Sequence, residues 1–167
     1  EFNQTYQRLG VKFDVEIGES HYEPQLAPLV EELLAKGIAV RSEGAVIVEL
    51  EKENLPIAMI QKSDGSSLYL TRDIANFQYR LEQYQPEKIL YVVGNEQTLT
   101  FEQLRAIISQ LGLPADKIVH VKYGMVLGED KKKLSTRGGT AIFANDLLDE
   151  AIKLAGEIVA QKNPALA

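Results

Sequence analysis

The run KILYVV at residues 88–93 limits the folds open to this chain more than any other stretch. It is apolar almost throughout, whereas a strand on a half-solvated sheet alternates. Such a run suits a parallel strand covered on both faces. The sequence around it is helical. Ahead of Pro86, Ile74, Phe77, Leu81 and Tyr84 recur at helical spacing, with Thr71 as candidate N-cap. Behind the run, Thr100 and Gln103 form a candidate capping box for a helix carrying Leu104, Ile107, Ile108 and Leu111, closed by Gly112. SLYLT at 67–71 reads as a short strand and KIVHV at 117–121 as another. Strand, helix, strand, helix, strand predicts an α/β fold: an open parallel sheet with right-handed crossovers and flanking helices.

The first third of the chain has a different grammar. Residues 1–9 predict a short helix ended by Gly10. VKFDVEI, residues 11–17, alternates Val11, Phe13, Val15 and Ile17 and predicts a half-buried strand. Pro24 suits the first turn of a helix bearing Leu26, Leu29, Val30, Leu33 and Leu34, closed by Gly37. AVIVEL and PIAMIQK, joined by EKEN, predict a small antiparallel pair, a hairpin subdomain inserted at about 43–62. A last helix is expected from about Asn145, with Leu148, Ala151, Ile152, Ala155 and Ile158 inward and NPALA as a frayed tail.

Composition narrows the function. At 167 residues, 45% hydrophobic and 25% charged, the chain is one domain or a large piece of one. It has no cysteine, which excludes disulfides and thiolate metal sites, and only His21 and His120, so no structural metal is expected. A net charge of −6 argues against a broad nucleic-acid footprint, and no DNA partner is expected. No apolar stretch is long enough for a bilayer and the N-terminal residues do not read as an export leader, so no membrane partner and a reducing cytoplasm are expected.

In open α/β sheets, ligands sit beyond the carboxyl ends of the strands. Three stretches meet that condition: Tyr69 to Asp73, Gly94 to Gln97, and the loop GMVLGEDKKKLSTRGG at 124–139. Glycine backbone amides and mobile lysines suit a phosphate chain. The spacing is not that of a P-loop, and from charge and glycine content alone a solvated hairpin or linker is the better reading.

Sequence blocks in collinear order resolve that ambiguity. KKLSTRGG resembles the KMSKS signature of class I aminoacyl-tRNA synthetases, and YGMVLGEDKK resembles its lead-in in the arginyl-tRNA synthetase family. YQRLGVKFDVEIGES, VEELLAKGIAVRSEGAVIVEL, KSDGSSLYLTRDIA, ILYVVGNEQ and NDLLDEAI resemble the same family, so that the likeness extends over nearly the whole chain. It implies the C-terminal part of a Rossmann-like catalytic domain over 1–167, with the KMSKS-like loop at 128–139. It also implies the substrates L-arginine, ATP accompanied by Mg2+, and tRNA(Arg).

The resemblance places Lys133, Leu134, Ser135, Thr136 and Arg137 on the five signature positions. Lys133 is implied as the phosphate cation and Ser135 as support for the loop, stabilising charge that develops on the phosphorus and departing pyrophosphate. Thr136 stands where the general signature has its second lysine, and Arg137, Lys131 or Lys132 are alternatives for that charge. Met125 and Val126 are implied at the adenine edge; an ordinary strand end is the plain alternative. Tyr69, Asp73 and Gln97 are implied as the arginine pocket, in which a carboxylate pairs with a planar guanidinium. For Asp73 the dipole at a helix start is an alternative explanation. Arg72 is expected outside the pocket in a surface ion pair, Glu96 faces either way, His21 reads as a surface or capping residue and His120 as a packing one.

Departures qualify this. The HIGH signature is absent, and so is the helical anticodon-binding domain. The expectation is therefore an excised piece of an arginine–tRNA ligase, inactive alone because adenylation needs both halves of the site at once. The alternatives are a cysteine-type synthetase and a non-catalytic synthetase-like interaction module. Thr100 stands where many members have histidine, and TRGG where TRKG is frequent.

Overall fold

A computed structural model of the chain describes residues 2–124 and 143–163. These fall in two compact units: 17–124, and 1–16 together with 125–167. Among the described residues no helix is long and apolar enough to cross a membrane.

The larger unit is α/β. After a 3-10 turn at Glu19–Tyr22 comes helix α2 (Glu23–Ala35), the first helix of this unit; α1 belongs to the other. Pro24 lies in its first turn and buried Leu26, Leu29, Val30 and Leu33 form its inner face, as the spacing predicts. Gly37 follows at φ +67°, a backbone that side-chain-bearing residues rarely adopt, and lets the chain reverse into the sheet. Strands β1 (Val40–Ser42), β2 (Ala45–Val48) and β3 (Ala58–Gln61) pair antiparallel in that order. The pair expected from AVIVEL and PIAMIQK is present, with β1 added through Val40 opposite Ile47. A bulge between Val46 and Ile47 offsets the β2–β3 register. Val46, Val48, Ala58 and Ile60 are all buried in one core with α2 and the helices that follow.

Helix α3 (Tyr69–Tyr84), strand β4 (Ile89–Gly94), helix α4 (Thr98–Gln110) and strand β5 (Ile118–Tyr123) complete the unit. β4 and β5 are parallel and in register from Ile89–Ile118 to Gly94–Tyr123, the strand–helix–strand crossover that the sequence predicts. Ile74 and Phe77 of α3, Ile89 and Tyr91 of β4, and Leu104, Ile107 and Ile108 of α4 share the core.

Four expectations here are corrected. SLYLT is not a strand: the helix begins at Tyr69, Leu68 is its N-cap residue, and only Ser67 makes an isolated bridge, to Gln61. Thr71 therefore lies inside the first turn, where its hydroxyl donates to the Ile60 carbonyl instead of capping. Thr100 and Gln103 make no capping box; the helix starts earlier, at Thr98, and Gln103 donates to the carbonyls of Pro56 (3.0 Å) and Ile57 (3.3 Å). Among the described residues KILYVV is covered on one face only. Leu90 and Val92 are 62% and 64% exposed, because the helices of this unit pack on the opposite side.

In the smaller unit, α1 (Phe2–Arg8) ends as expected near Gly10 at φ +68°. VKFDVEI is not a strand. Among the described residues it pairs with no other strand, so its alternating side chains stay exposed, and the Val11 N–H donates to the Tyr6 carbonyl at 2.8 Å instead of to a ladder. Phe13 instead packs edge-on to Tyr6, ring centroids 4.9 Å apart. Helix α5 (Ala144–Lys162) forms where expected, but none of its residues is buried, so the inward face assigned to it is not inward among the described residues. Arg8 pairs with Asp149 at 2.5 Å. The NPALA tail beyond Asn163 lies outside the described residues.

Candidate functional site

The site grows from the start of α3 and the end of β4. The Thr71 hydroxyl, wholly buried, ties the first turn of α3 to β3 through Ile60 and so fixes where that turn begins. Residues four apart on a helix share a face. Tyr69 and Asp73 therefore project together, and Asn76 follows on the same side. The spacing singled out from the sequence is right, although both residues stand on the helix rather than at a strand–helix junction.

Across from them, β4 turns Tyr91 and Val93 to one side. The strand stops at Gly94, and the 3-10 turn Asn95–Gln97 carries Gln97 back over its end. Thr98 steadies that turn by donating its hydroxyl to the Asn95 carbonyl at 2.6 Å. Between these walls is a cleft of about 570 Å³, lined by Tyr69, Asp73 and Gln97 together with Glu19, Tyr22, Arg72, Asn76, Tyr91, Val93, Thr100 and Phe101. It lies at the carboxyl end of a parallel strand, where open α/β sheets place ligands.

The cleft is electrostatically unusual. Asp73 is pushed up to about 6 from 3.8, first by burial and then by the nearby Glu19 carboxylate, against the opposing pull of Arg80. Tyr91 is pushed up to about 12, again chiefly by burial, with Arg80 opposing and Asp73 adding to the rise. The Arg80 guanidinium carbon lies over the Tyr91 ring, 5.3 Å from its centroid. The Tyr91 hydroxyl and the Asn76 amide oxygen are buried and have no hydrogen-bond partner among the described residues. Two carboxylates, two acceptor-capable polar atoms and an aromatic wall in one cleft suit a cationic ligand with several N–H donors.

The remaining expectations divide cleanly. Arg72 forms its expected ion pair, with Glu23 at 3.3 Å, but it does not stand outside the pocket as expected: it is one of the residues that line the cleft. Glu96 is outside the lining, its carboxylate folded against Gly94 where a Cβ would collide with it. His21 is at the surface, edge-to-face with Tyr22 and Tyr79 at 5.3 and 5.0 Å. His120 packs as expected, stacked on Phe101 at 4.5 Å with Nε2 3.2 Å from the Val93 carbonyl. Met125, Val126, Lys133, Leu134, Ser135, Thr136 and Arg137 lie outside the described residues.

Among the lining residues that went unread in the sequence as site residues are Glu19, Tyr22, Asn76 and Tyr91. Asn76 carried a signal, since it lies three residues beyond Asp73 on one helix face. Tyr91 is concealed by the apolar run that contains it. Glu19 had only a block likeness without a role.

Comparison with known proteins agrees with this geometry. The family model for class I tRNA synthetases (R), catalytic domain, matches residues 1–167. The chain is 49% identical over 168 residues to an arginine–tRNA ligase of Levilactobacillus brevis and 44% identical to one of Exiguobacterium sibiricum. Each match takes in 100% of this chain and 30% of the relative, so the chain spans about a third of the length of the curated relatives it matches. Its fold is similar to that of arginyl-tRNA synthetase from Plasmodium falciparum, with a TM-score of 0.79 at 24% identity over 99% of this chain and 27% of that one. For the Thermus thermophilus arginyl-tRNA synthetase the TM-score is 0.59 at 23% identity, over 83% and 30% of the two chains. With a carboxylate-lined cleft at the end of a parallel strand and a family match along its whole length, this chain belongs to the class I arginyl-tRNA synthetase catalytic-domain family.

Proposed function

We propose that this chain supplies the arginine-binding part of the catalytic centre of an arginine–tRNA ligase. The observation that carries the reading is the convergence of Asp73, Tyr69 and Gln97, with Glu19, on one cleft at the end of β4. A planar guanidinium offers five donors in a fixed fork and no acceptor. Asp73 takes two of them side by side, Glu19 adds a second negative charge, and the Asn76 and Tyr91 oxygens are further acceptors within the same wall. Lysine, with a compact ammonium, leaves part of that set unsatisfied and is rejected on that ground.

In the reaction, an oxygen of the arginine carboxylate attacks the α-phosphorus of ATP, which enters with Mg2+. The new P–O bond forms as the bond to pyrophosphate breaks, giving arginyl-adenylate. A terminal ribose hydroxyl of tRNA(Arg) then attacks the activated carbonyl and AMP departs. Met125 and Val126 are proposed at the adenine, and Lys133 and Ser135, with Leu134, Thr136 and Arg137, as the loop that meets the phosphates. Their sequence likeness to the family signature supports that assignment. The setting is the cytoplasm, and the segment alone is inactive because donors from the rest of the centre are needed at the same moment.

The test is Asp73→Ala in the intact ligase, read as arginine affinity and arginine-dependent pyrophosphate exchange. Removing one partner of a desolvated charge pair costs about 2 kcal/mol or more, a loss of about 30-fold or greater in arginine affinity. Unchanged arginine affinity removes the reading.

A further inference from the structure

We infer that Arg80 is a positioning residue of this cleft: a fixed cation, clamped over Tyr91 outside the lining, that favours the charged carboxylate of Asp73 for a guanidinium ligand. The inference rests on the arginine-binding reading above and extends it to a residue that does not touch the ligand.

Asp73 and Arg80 are seven residues apart on α3, two turns along one face. Arg80 is absent from the cleft lining, and its guanidinium instead lies against the ring of Tyr91, which does line the cleft. From there its charge acts on Asp73 without entering the cleft as a lining arginine does. The other cation at the rim, Arg72, is engaged with Glu23 of α2.

The chemistry needs such a charge. Two carboxylates in one partly buried cleft oppose each other's ionisation, and the simplest relief is for one to take a proton. A protonated carboxyl is a donor, and set against a guanidinium, which only donates, it repels where it should accept. Arginine stays charged at any relevant pH, so Arg80 offsets the pair without titrating itself. The groups facing Asp73 are consistent with that role: Glu19 from the 3-10 turn raises its proton affinity, Tyr91 of β4 lines the same cleft and carries the Arg80 contact, and Arg80 pulls the other way. The ring contact adds a second function, since it holds Tyr91 in place with its hydroxyl buried.

The experiment is a pH series of arginine KM and kcat in the intact ligase for wild type, Arg80→Met and Arg80→Lys, with Asp73→Ala alongside. Loss of the cation moves the ionisation of Asp73 upward. Arg80→Met then raises KM about tenfold at pH 6.5 and less than about twofold at pH 8.5, with a smaller change in kcat. Arg80→Lys restores most of the low-pH affinity. A KM ratio between Arg80→Met and wild type that is the same at both pH values overturns the inference, as does failure of lysine to rescue. Should Arg80→Met not fold, Arg80→Gln takes its place with the same two readouts. The Asp73→Ala variant separates the two claims. If it binds arginine normally the parent reading fails, whereas a strong Asp73→Ala defect beside a pH-independent Arg80 effect removes only the role of Arg80.

Discussion

Helices α3 and α5 were read from the sequence by the same rule, and both formed, yet only one is packed. The 16 residues of α3 bury Leu70, Thr71, Ile74, Ala75 and Phe77 against α2, α4 and β3. The 19 residues of α5 bury none, and Leu147, Ile152, Leu154, Ile158 and Val159 stand exposed. Apolar spacing decides which face of a helix is available for burial. Whether that face is buried depends on partners, and the chain spans only about a third of the length of its curated relatives. The difference also bears on the site. The cleft hangs on α3, the helix whose position is over-determined by packing and by the Thr71 hydrogen bond.

The sharpest way to break the contrast is at Phe77, a fully buried side chain in the middle of α3. Truncation to alanine removes its transfer free energy and leaves a cavity, at a cost of about 3–5 kcal/mol. Against a total of about 5–15 kcal/mol for an ordinary domain, that is a large fraction. Urea unfolding of Phe77→Ala should show the midpoint falling steeply. A loss under about 1 kcal/mol means that α3 is as loosely held as α5, and the comparison collapses.

The polar edge of α3 works against its stability, and this sharpens the contrast from the other side. Asp73 holds a proton more tightly in the folded chain, near pH 6, than its ordinary value of 3.8 allows when unfolded. The stabilisation from that protonated form is complete below about pH 4 and is lost as pH rises through about 6. At about 1.4 kcal/mol per tenfold change in proton affinity the loss is capped near ~3 kcal/mol, and partial solvation reduces it to about 1–3 kcal/mol. Asp73→Asn, which keeps the shape without the charge, should therefore be more stable than wild type by that amount at pH 7.5. The two should match near pH 4. Equal stability at both values means that the carboxylate carries no burial cost.

What was legible followed from spacing that acts within a few residues. Tyr69 and Asp73 share a face because four residues make about one helical turn and the helix already includes Tyr69. The rule that ligands gather at strand ends marked Gly94 to Gln97 as a candidate stretch, and the family resemblance put Gln97 itself in the pocket. What was illegible depends on contacts between segments. The start of α3 is set by a hydroxyl bonding back to Ile60 on a separate strand, which no local cap signal announces. VKFDVEI alternates like a strand, but a strand is completed by its neighbour, and none pairs with it among the described residues. Glu19 reaches Asp73 only through the fold, so its charge in the cleft had no trace in local pattern.

The smallest expected effect tests the other arm of the comparison. Ile152 is 64% exposed on α5, so replacing it with serine removes little buried area, and the remaining cost is a slight difference in helix propensity. The expected change in stability of this chain is within about 0.5 kcal/mol, the range of surface substitutions. Hydrogen exchange at α5 amides reads this locally, where a global unfolding curve dominated by the other unit is less sensitive. Protection that falls by more than about tenfold in Ile152→Ser means that this face is covered in solution. Exposure of the α5 face would then not distinguish it from α3, and the lesson drawn from the pair would fail at its weaker end.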